Sequence, residues 1–245
     1  VYSIDFDQFI HTHIDSGADI TLLYHAVDNA KEAYLTCNVL DLNRQKGVQA
    51  IEANHGNKKN QNIYMDTCIM KTELFISLVK EAKKLSSMYT LTDVINDKCE
   101  TLDIRGVAHK GFFASVTDFP SYYKANMDLL NYKAAQELFH EDWPIYTRTN
   151  DSCPTQYFNT ADVKNSVISN GCQIEGTVEN SVIGRGCVIK KGAVVRNSVV
   201  LAEVTVGEGV HVENEVVDKW ANLIHKKEIV SPAEQPGYIR RNDTL

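Results

Sequence analysis

Six valines lie six residues apart without a break: Val182, Val188, Val194, Val200, Val206 and Val212. The register misses at Asp218 and resumes at Ile224 and Val230. A helix repeats its apolar face near 3.6 residues and a half-buried strand every two, so neither produces this period. A triangular coil does. Each flat face takes one six-residue rung, its apolar residue points inward, and Gly, Asn and Asp turn the corners because they tolerate positive φ. Corner motifs recur as well. Asn-Ser-Val occurs at Asn165, Asn180 and Asn197, Gly-Cys at Gly171 and Gly186, and Gly-x-Gly at Gly184 and Gly207. One rung cannot bury its own apolar face, so stacked neighbours supply the stability. About ten rungs fit between Val163 and Val230. The sequence thus predicts a C-terminal left-handed parallel β-helix of hexapeptide repeats over residues 163–230, with interior valines that are structural.

The first 140 residues follow other periods. Apolar runs at residues 20–26, 33–40, 48–53, 63–70 and 102–108 read as strands, and their lack of strict alternation suits a sheet covered on both faces. Between them, Thr72 is placed to cap a helix to about Leu85, with Leu74, Leu78, Ala82 and Leu85 on one stripe. Thr117 is placed to cap another that carries Tyr122, Tyr123 and Met127, and residues 133–140 read as a further short helix. Strands alternating with helices imply an α/β layer architecture. Val1-Tyr2-Ser3-Ile4 reads as a buried strand, Asp5 with Gln8 as a helix cap, and Gly17 as that helix's stop. A strand–helix–strand unit therefore opens in mid-element, and a fragment of a longer protein is expected. The expected organisation is an α/β portion over 1–140, a linker over 141–162, the β-helix over 163–230 and an extended tail over 231–245.

Charge and motif content narrow the function. With 25 basic and 32 acidic residues the net charge is −7, which argues against a surface for nucleic acid or anionic lipid. No apolar run approaches the roughly 20 residues that span a bilayer, so no membrane role is expected. The six cysteines include no C-x-x-C pair, which argues against a zinc site or a disulfide framework and favours a reducing cytoplasm. No P-loop, Rossmann glycine fingerprint or nucleophile elbow occurs. His11 and His13, two apart on a helix, point to different faces, which favours packing over a metal pair. The Lys80-Glu81-Ala82-Lys83-Lys84 run reads as a solvated helix face, and Arg240-Arg241 as a solvated tail, with an anion site as the rival reading of each. His211 and His225 are the candidates if the coil served a hexapeptide acyltransferase; an exposed turn residue is the commoner role.

Several segments carry a family likeness. Val1-Tyr2-Ser3-Ile4-Asp5-Phe6 resembles the V-Y-x-M-D-Y segment of bacterial ADP-glucose pyrophosphorylases (glucose-1-phosphate adenylyltransferases). Tyr122-Tyr123-Lys124-Ala125-Asn126-Met127-Asp128-Leu129 resembles that family's Y-W-x-A-N-M-D-L helix, and Trp143-Pro144-Ile145-Tyr146-Thr147 its W-P-I-x-T motif. Leu201-Ala202-Glu203-Val204-Thr205-Val206-Gly207 is similar to its L-x-x-V-x-V-G rung. The resemblance covers nearly the whole chain and implies a nucleotidyltransferase-like, Rossmann-like α/β domain portion that lacks its nucleotide-binding first third, followed by the β-helix, in tetramers. The family joins ATP and glucose 1-phosphate into ADP-glucose and pyrophosphate with carboxylate-held Mg²⁺.

Departures at the family's motif positions shape the functional expectation. Where the family carries W-R-D-V-G-T, with the aspartate holding metal, this chain has Phe113-Ala114-Ser115-Val116-Thr117-Asp118. Ser115 takes the aspartate position and Ala114 the arginine position, and a hydroxyl is a poor replacement for an anionic Mg²⁺ ligand. The family's F-x-E-K-P segment becomes Ala50-Ile51-Glu52-Ala53-Asn54, which keeps Glu52 but puts Ala53 at the lysine. The S-M-G strand near the sugar becomes Tyr64-Met65-Asp66, with Asp66 at the glycine. These substitutions point to the non-catalytic, regulatory subunit type of bacterial glycogen biosynthesis. Such a subunit has no catalytic residues of its own, has Glu52, kept from the family, and Asp66, in place of its glycine, as substrate-binding positions, and needs Mg²⁺ only if the family reaction is retained. The partner implied is a catalytic pyrophosphorylase paralogue in a hetero- or homo-tetramer, with a small-molecule effector possible. The rivals are an active sugar nucleotidyltransferase with its metal aspartate elsewhere, for instance at Asp118, the acyltransferase, and a purely structural scaffold.

Overall fold

The computed structural model describes every residue except Trp143 and Arg148, so the tryptophan of the Trp-Pro-Ile-x-Thr segment lies outside the described residues. The chain divides into two compact units, Tyr2–Phe113 and Ala114–Leu245, with Val1 counted in the second.

In the first unit, Asp5 caps α1 (Phe6–Ser16) by accepting from the N–H groups of Asp7 and Gln8, and Gly17 ends it at φ 65. A five-stranded sheet follows, built from β1 (Ile20–Val27), β2 (Asn38–Leu42), β3 (Val48–Ala53), β4 (Gln61–Met70) and β5 (Ile104–Ala108). Its order is β3-β2-β4-β1-β5. Among the described strands of this sheet, only β1 and β5 pair in parallel; its other pairings are antiparallel. The sheet is covered on both faces. Ile20, Leu22 and Tyr24 face α2 (Thr72–Leu85) and α3 (Leu91–Asp97) through Leu78, Ala82, Val94 and Ile95, while Leu23 turns the other way onto Phe9 of α1 and Met65. Each such buried side chain stabilises the unit by about 1.5–3 kcal/mol.

Three local expectations need correction here, and one helix was missed. The run at 33–40 becomes a strand only from Asn38, because residues 31–37 form a turn held by the buried Asn54, whose amide donates to the carbonyls of Ala30 (2.8 Å) and Tyr34 (3.0 Å). Lys71 rather than Thr72 is the N-cap of α2, without a side-chain bond, and Leu85 is 61 % exposed instead of joining the apolar stripe. Val1–Ile4 forms no strand, only an isolated bridge from Tyr2 to Phe113. Helix α3, capped by Thr90 and Asp93 in a reciprocal capping box, has too short an apolar pattern to have stood out in the sequence.

The second unit opens with α4 (Phe119–Asp128), capped by Asp118 rather than Thr117, and α5 (Tyr132–Leu138). It continues as a parallel β-solenoid whose described strands form three faces of five. One face is β6 (Gln156–Tyr157), β9 (Gln173–Ile174), β12 (Val188–Ile189), β15 (Thr205–Val206) and β18 (Asn222–Leu223). The second is β7 (Asp162–Lys164), β10 (Thr177–Glu179), β13 (Val194–Arg196), β16 (His211–Glu213) and β19 (Glu228–Val230). The third is β8 (Val167–Ile168), β11 (Val182–Ile183), β14 (Val199–Val200), β17 (Glu215–Val217) and β20 (Gly237–Ile239). Residues 237–245, expected as extended tail, complete the last coil. Thr244 bridges Asn222, and the Leu245 carbonyl accepts from the N–H groups of Ile224 and His225.

The interior register differs from the run of six-spaced valines. Val182, Val188 and Val194 are only partly buried and face outward, while their neighbours Ile183, Ile189 and Val195 are fully buried. Val200, Val206 and Val212 do point inward, but at the far end Leu223 and Ile229 fill the core and Ile224 and Val230 are exposed. The reason is a tight corner. Asn165, Asn180, Asn197 and Asn214 adopt φ values of 42, 46, 44 and 56, and each turns the chain in one residue fewer. Paired positions such as Val178, Val195, Val212 and Ile229 therefore recur every seventeen residues, as the strand register requires. A strict hexad over three faces would give about eighteen.

Candidate functional site

The motif positions that pointed to sugar-phosphate chemistry fall in both units. Glu52 and Ala53 end β3 and are exposed. Glu52 pairs with Val39, Val39 with Ile63, and Ile63 with His25, so one row of the sheet runs from Glu52 to His25 across three strand spacings. At about 4.8 Å per strand the two are roughly 14 Å apart and do not converge. Asp66 occupies a β-bulge of β4, where three residues, Met65 to Thr67, stand opposite Leu23 between the Leu22–Cys68 and Tyr24–Tyr64 pairs. Its backbone has φ 50, the left-handed conformation that glycine adopts most easily. The carboxylate is exposed, and partial burial by its neighbours raises its pKa above the usual carboxylate range.

Ala114 and Ser115 belong to the second unit. Ala114 is buried, its N–H donating to the Val1 carbonyl at 2.9 Å, and Ser115 is partly buried. Asp118 is engaged as the N-cap of α4, where its carboxylate accepts from the Ser121 N–H at 2.8 Å. Hydrogen bonding by the Ser121 side chain, and then by its N–H, holds the Asp118 pKa below the usual range.

The other candidates resolve one at a time. His11 is exposed, whereas His13 is buried with Nδ1 2.7 Å from the Thr21 hydroxyl, so the two rings point apart. Lys80, Lys83 and Lys84 are exposed on α2. His225 is exposed; His211 on β16 places Nε2 3.1 Å from a Glu213 carboxylate oxygen. Arg241 stacks over the Trp220 ring at 4.2 Å, which gives the expected tail a fixed contact. Among the described residues, no group of three or more His, Cys, Asp and Glu is placed to hold a metal ion, and no helix is long and apolar enough to cross a membrane.

Two arrangements escaped sequence reasoning. In the first unit, His25 and His109 meet with Nδ1 atoms 3.3 Å apart, and His25 stacks on Phe113 with ring centroids 4.8 Å apart. They are 84 residues apart in sequence, so no spacing signal exists. In the second unit, a column of hydroxyls runs along one solenoid corner. The Ser181 N–H donates to Ser166 Oγ, the Ser198 N–H to Ser181 Oγ, and the Glu215 N–H to Ser198 Oγ, each at 3.1 Å. Glu215 ends the column buried, accepting from the Ser231 hydroxyl at 2.5 Å. The signal for it was present, since Asn214-Glu215-Val216 is a fourth copy of Asn-Ser-Val with the serine replaced.

Comparison with known proteins joins these features. Residues 154–235 match a GlmU-like C-terminal hexapeptide family. A glucose-1-phosphate adenylyltransferase of Fervidobacterium nodosum is 30% identical over 221 residues, covering 89% of this chain and 52% of its own length. A glycogen biosynthesis protein GlgD of Geobacillus stearothermophilus is 32% identical over 195 residues, 80% of this chain and 46% of that one. The GlgD protein of Bacillus subtilis is 27% identical over 241 residues, 96% of this chain and 67% of that one. The chain thus spans about half to two thirds of the length of these relatives. With the ordered motifs and the hexapeptide solenoid, these likenesses make the chain similar over most of its length to the glucose-1-phosphate adenylyltransferase (ADP-glucose pyrophosphorylase) family and to its GlgD-like members.

Proposed function

We propose that the chain comes from a regulatory subunit of bacterial glycogen synthesis, one that contributes little chemistry of its own and modulates a catalytic pyrophosphorylase paralogue within a tetramer. The observation that carries this reading is Asp66. It sits at the family's glycine position with φ 50, and its side chain is exposed. A carboxylate there repels a sugar phosphate, where glycine would leave room for it. Ala53 at the lysine position and Ser115 at the metal aspartate support the same conclusion, because both remove the charges that phosphoryl transfer needs. The two relatives named glycogen biosynthesis protein GlgD are consistent with it from outside the chain.

If the reaction were retained, Mg²⁺ would require oxygen ligands. Asp118 is the candidate aspartate nearest the family's metal position, and it is engaged as a helix cap. The test is pyrophosphate release from ATP and glucose 1-phosphate with Mg²⁺, run with the full-length subunit alone and then mixed with its catalytic paralogue. Silence alone and a changed rate or substrate affinity in the mixture is the expected result. Robust turnover by the subunit alone would mean an active nucleotidyltransferase. No effect in the mixture would leave a scaffold.

A further inference from the structure

The His25–His109 pair lies outside the residues that the proposed function rests on. His109 is buried and follows β5; its ring Nε2 lies 2.9 Å from the Ser3 carbonyl. A carbonyl only accepts, so Nε2 carries the proton and Nδ1 of the neutral ring presents a lone pair. That lone pair faces Nδ1 of His25, 3.3 Å away. The two rings are held from outside. Phe113 stacks on His25 with an interplanar angle of 26°, and Tyr2 packs edge-on against His109 at 5.6 Å.

We propose that the Nδ1 atoms of His25 and His109 form a two-histidine clip for a borderline divalent cation of the zinc class, with water completing the coordination. Two nitrogens bound at 2.0–2.1 Å to a tetrahedral ion stand about 3.3 Å apart, which is the separation here. The second-shell geometry fits as well. A metal-binding imidazole characteristically donates its other ring N–H to a carbonyl or carboxylate, and His109 does so to Ser3. Imidazole donors select zinc-class ions over Mg²⁺, which takes oxygen, so this site is separate from any Mg²⁺ of the family reaction. It lies wholly within the first unit, on the aromatic row of Tyr2, His25, Tyr34 and Phe113.

The experiment is calorimetric titration of Zn²⁺ into the chelator-stripped full chain, with the visible spectrum of Co²⁺ as a second probe. His25→Gln and His109→Gln are each compared with the parent, and His211→Gln serves as a control outside the pair. Loss of at least tenfold in Zn²⁺ affinity in either pair variant, with the control unchanged and a tetrahedral Co²⁺ spectrum in the parent, supports the clip. His25 is only partly buried and its ring nitrogen bonds within the pair, so His25→Gln carries the test if His109→Gln fails to fold. His25→Cys should retain the metal and add thiolate character to the Co²⁺ spectrum. Equal affinity in parent and His25→Gln, or no Zn²⁺ retained by the parent, overturns the proposal and leaves a hydrogen-bonded pair sharing one proton.

Discussion

The solenoid and the sheet unit bury similar side chains by opposite logic. In the solenoid, every interior residue has a near-equivalent one coil above and one below: Val178, Val195, Val212 and Ile229 form a single column. In the sheet unit each core residue occurs once. Ile95 of α3 is fully buried with Leu78, Val94 and Ile51, and no other position repeats its surroundings. Stability in the solenoid is therefore close to a sum over neighbouring coils, whereas in the sheet unit it is shared across the whole core. A defect should stay local in one and spread in the other.

That contrast can be broken by matched substitutions. Ile189→Ala and Ile95→Ala each remove a fully buried side chain, and each should cost about 2–5 kcal/mol. Hydrogen exchange should separate them. Loss of protection in Ile189→Ala should centre on β9, β12 and β15, while Ile95→Ala should lower protection across the sheet unit. Uniform loss over the whole solenoid would remove the one-dimensional picture. Ser198→Ala leaves the buried Glu215 N–H without its acceptor and should cost about 1–3 kcal/mol, read from the urea midpoint. An unchanged midpoint would mean that the hydroxyl column is dispensable. Thr90→Ala removes the side-chain half of the α3 capping box and should cost about 1 kcal/mol, in the sheet unit alone.

The smallest effect carries the opposite sign. Burial raises the Glu215 carboxyl above its ordinary value of 4.5, partly offset by the Ser231 hydroxyl and Lys226. A raised folded pKa means that the native state holds its proton longer than the unfolded chain. Its contribution is thus fully present below about pH 4.5 and lost as pH rises through the folded value. Glu215→Gln should melt higher than the parent at pH 8, with the gap closing below pH 4.5. A lower melting temperature at pH 8 would place a favourable ionised contact at Glu215.

The same contrast explains what could be read from the letters. Repetition wrote the solenoid several times over, so its existence was legible from Asn-Ser-Val and the spaced valines, whereas its first strand at Gln156–Tyr157, in the expected linker, and its last at Gly237–Ile239, in the expected tail, were not. The inward register was not, because Val182 and Ile183 are equally apolar neighbours and only the left-handed Asn180 decides which of them turns in. In the sheet unit, β1, β3 and β4 stood out as apolar runs, while the turn at residues 31–37 depends on Asn54, just past the end of β3. The motif positions Glu52, Ala53, Asp66, Ala114 and Ser115 were legible by family likeness. The His25–His109 pair was not, since tertiary folding alone brings its members together.

One corner shows where this molecule can accept added length. From β11 to β17 successive paired positions on the third face are seventeen residues apart, as from Val200 to Val217, yet Val217 pairs with Ile239, twenty-two residues on. The surplus leaves the coil around Pro232 and Gln235 and rejoins the ladder at Gly237, where a Cβ would run into the Glu215 carboxylate. Corners are thus the places where a reporter epitope or a short recognition peptide can be spliced in without disturbing the stack. A one-residue insertion within a strand would instead turn the side chains that follow it in that strand from core to surface.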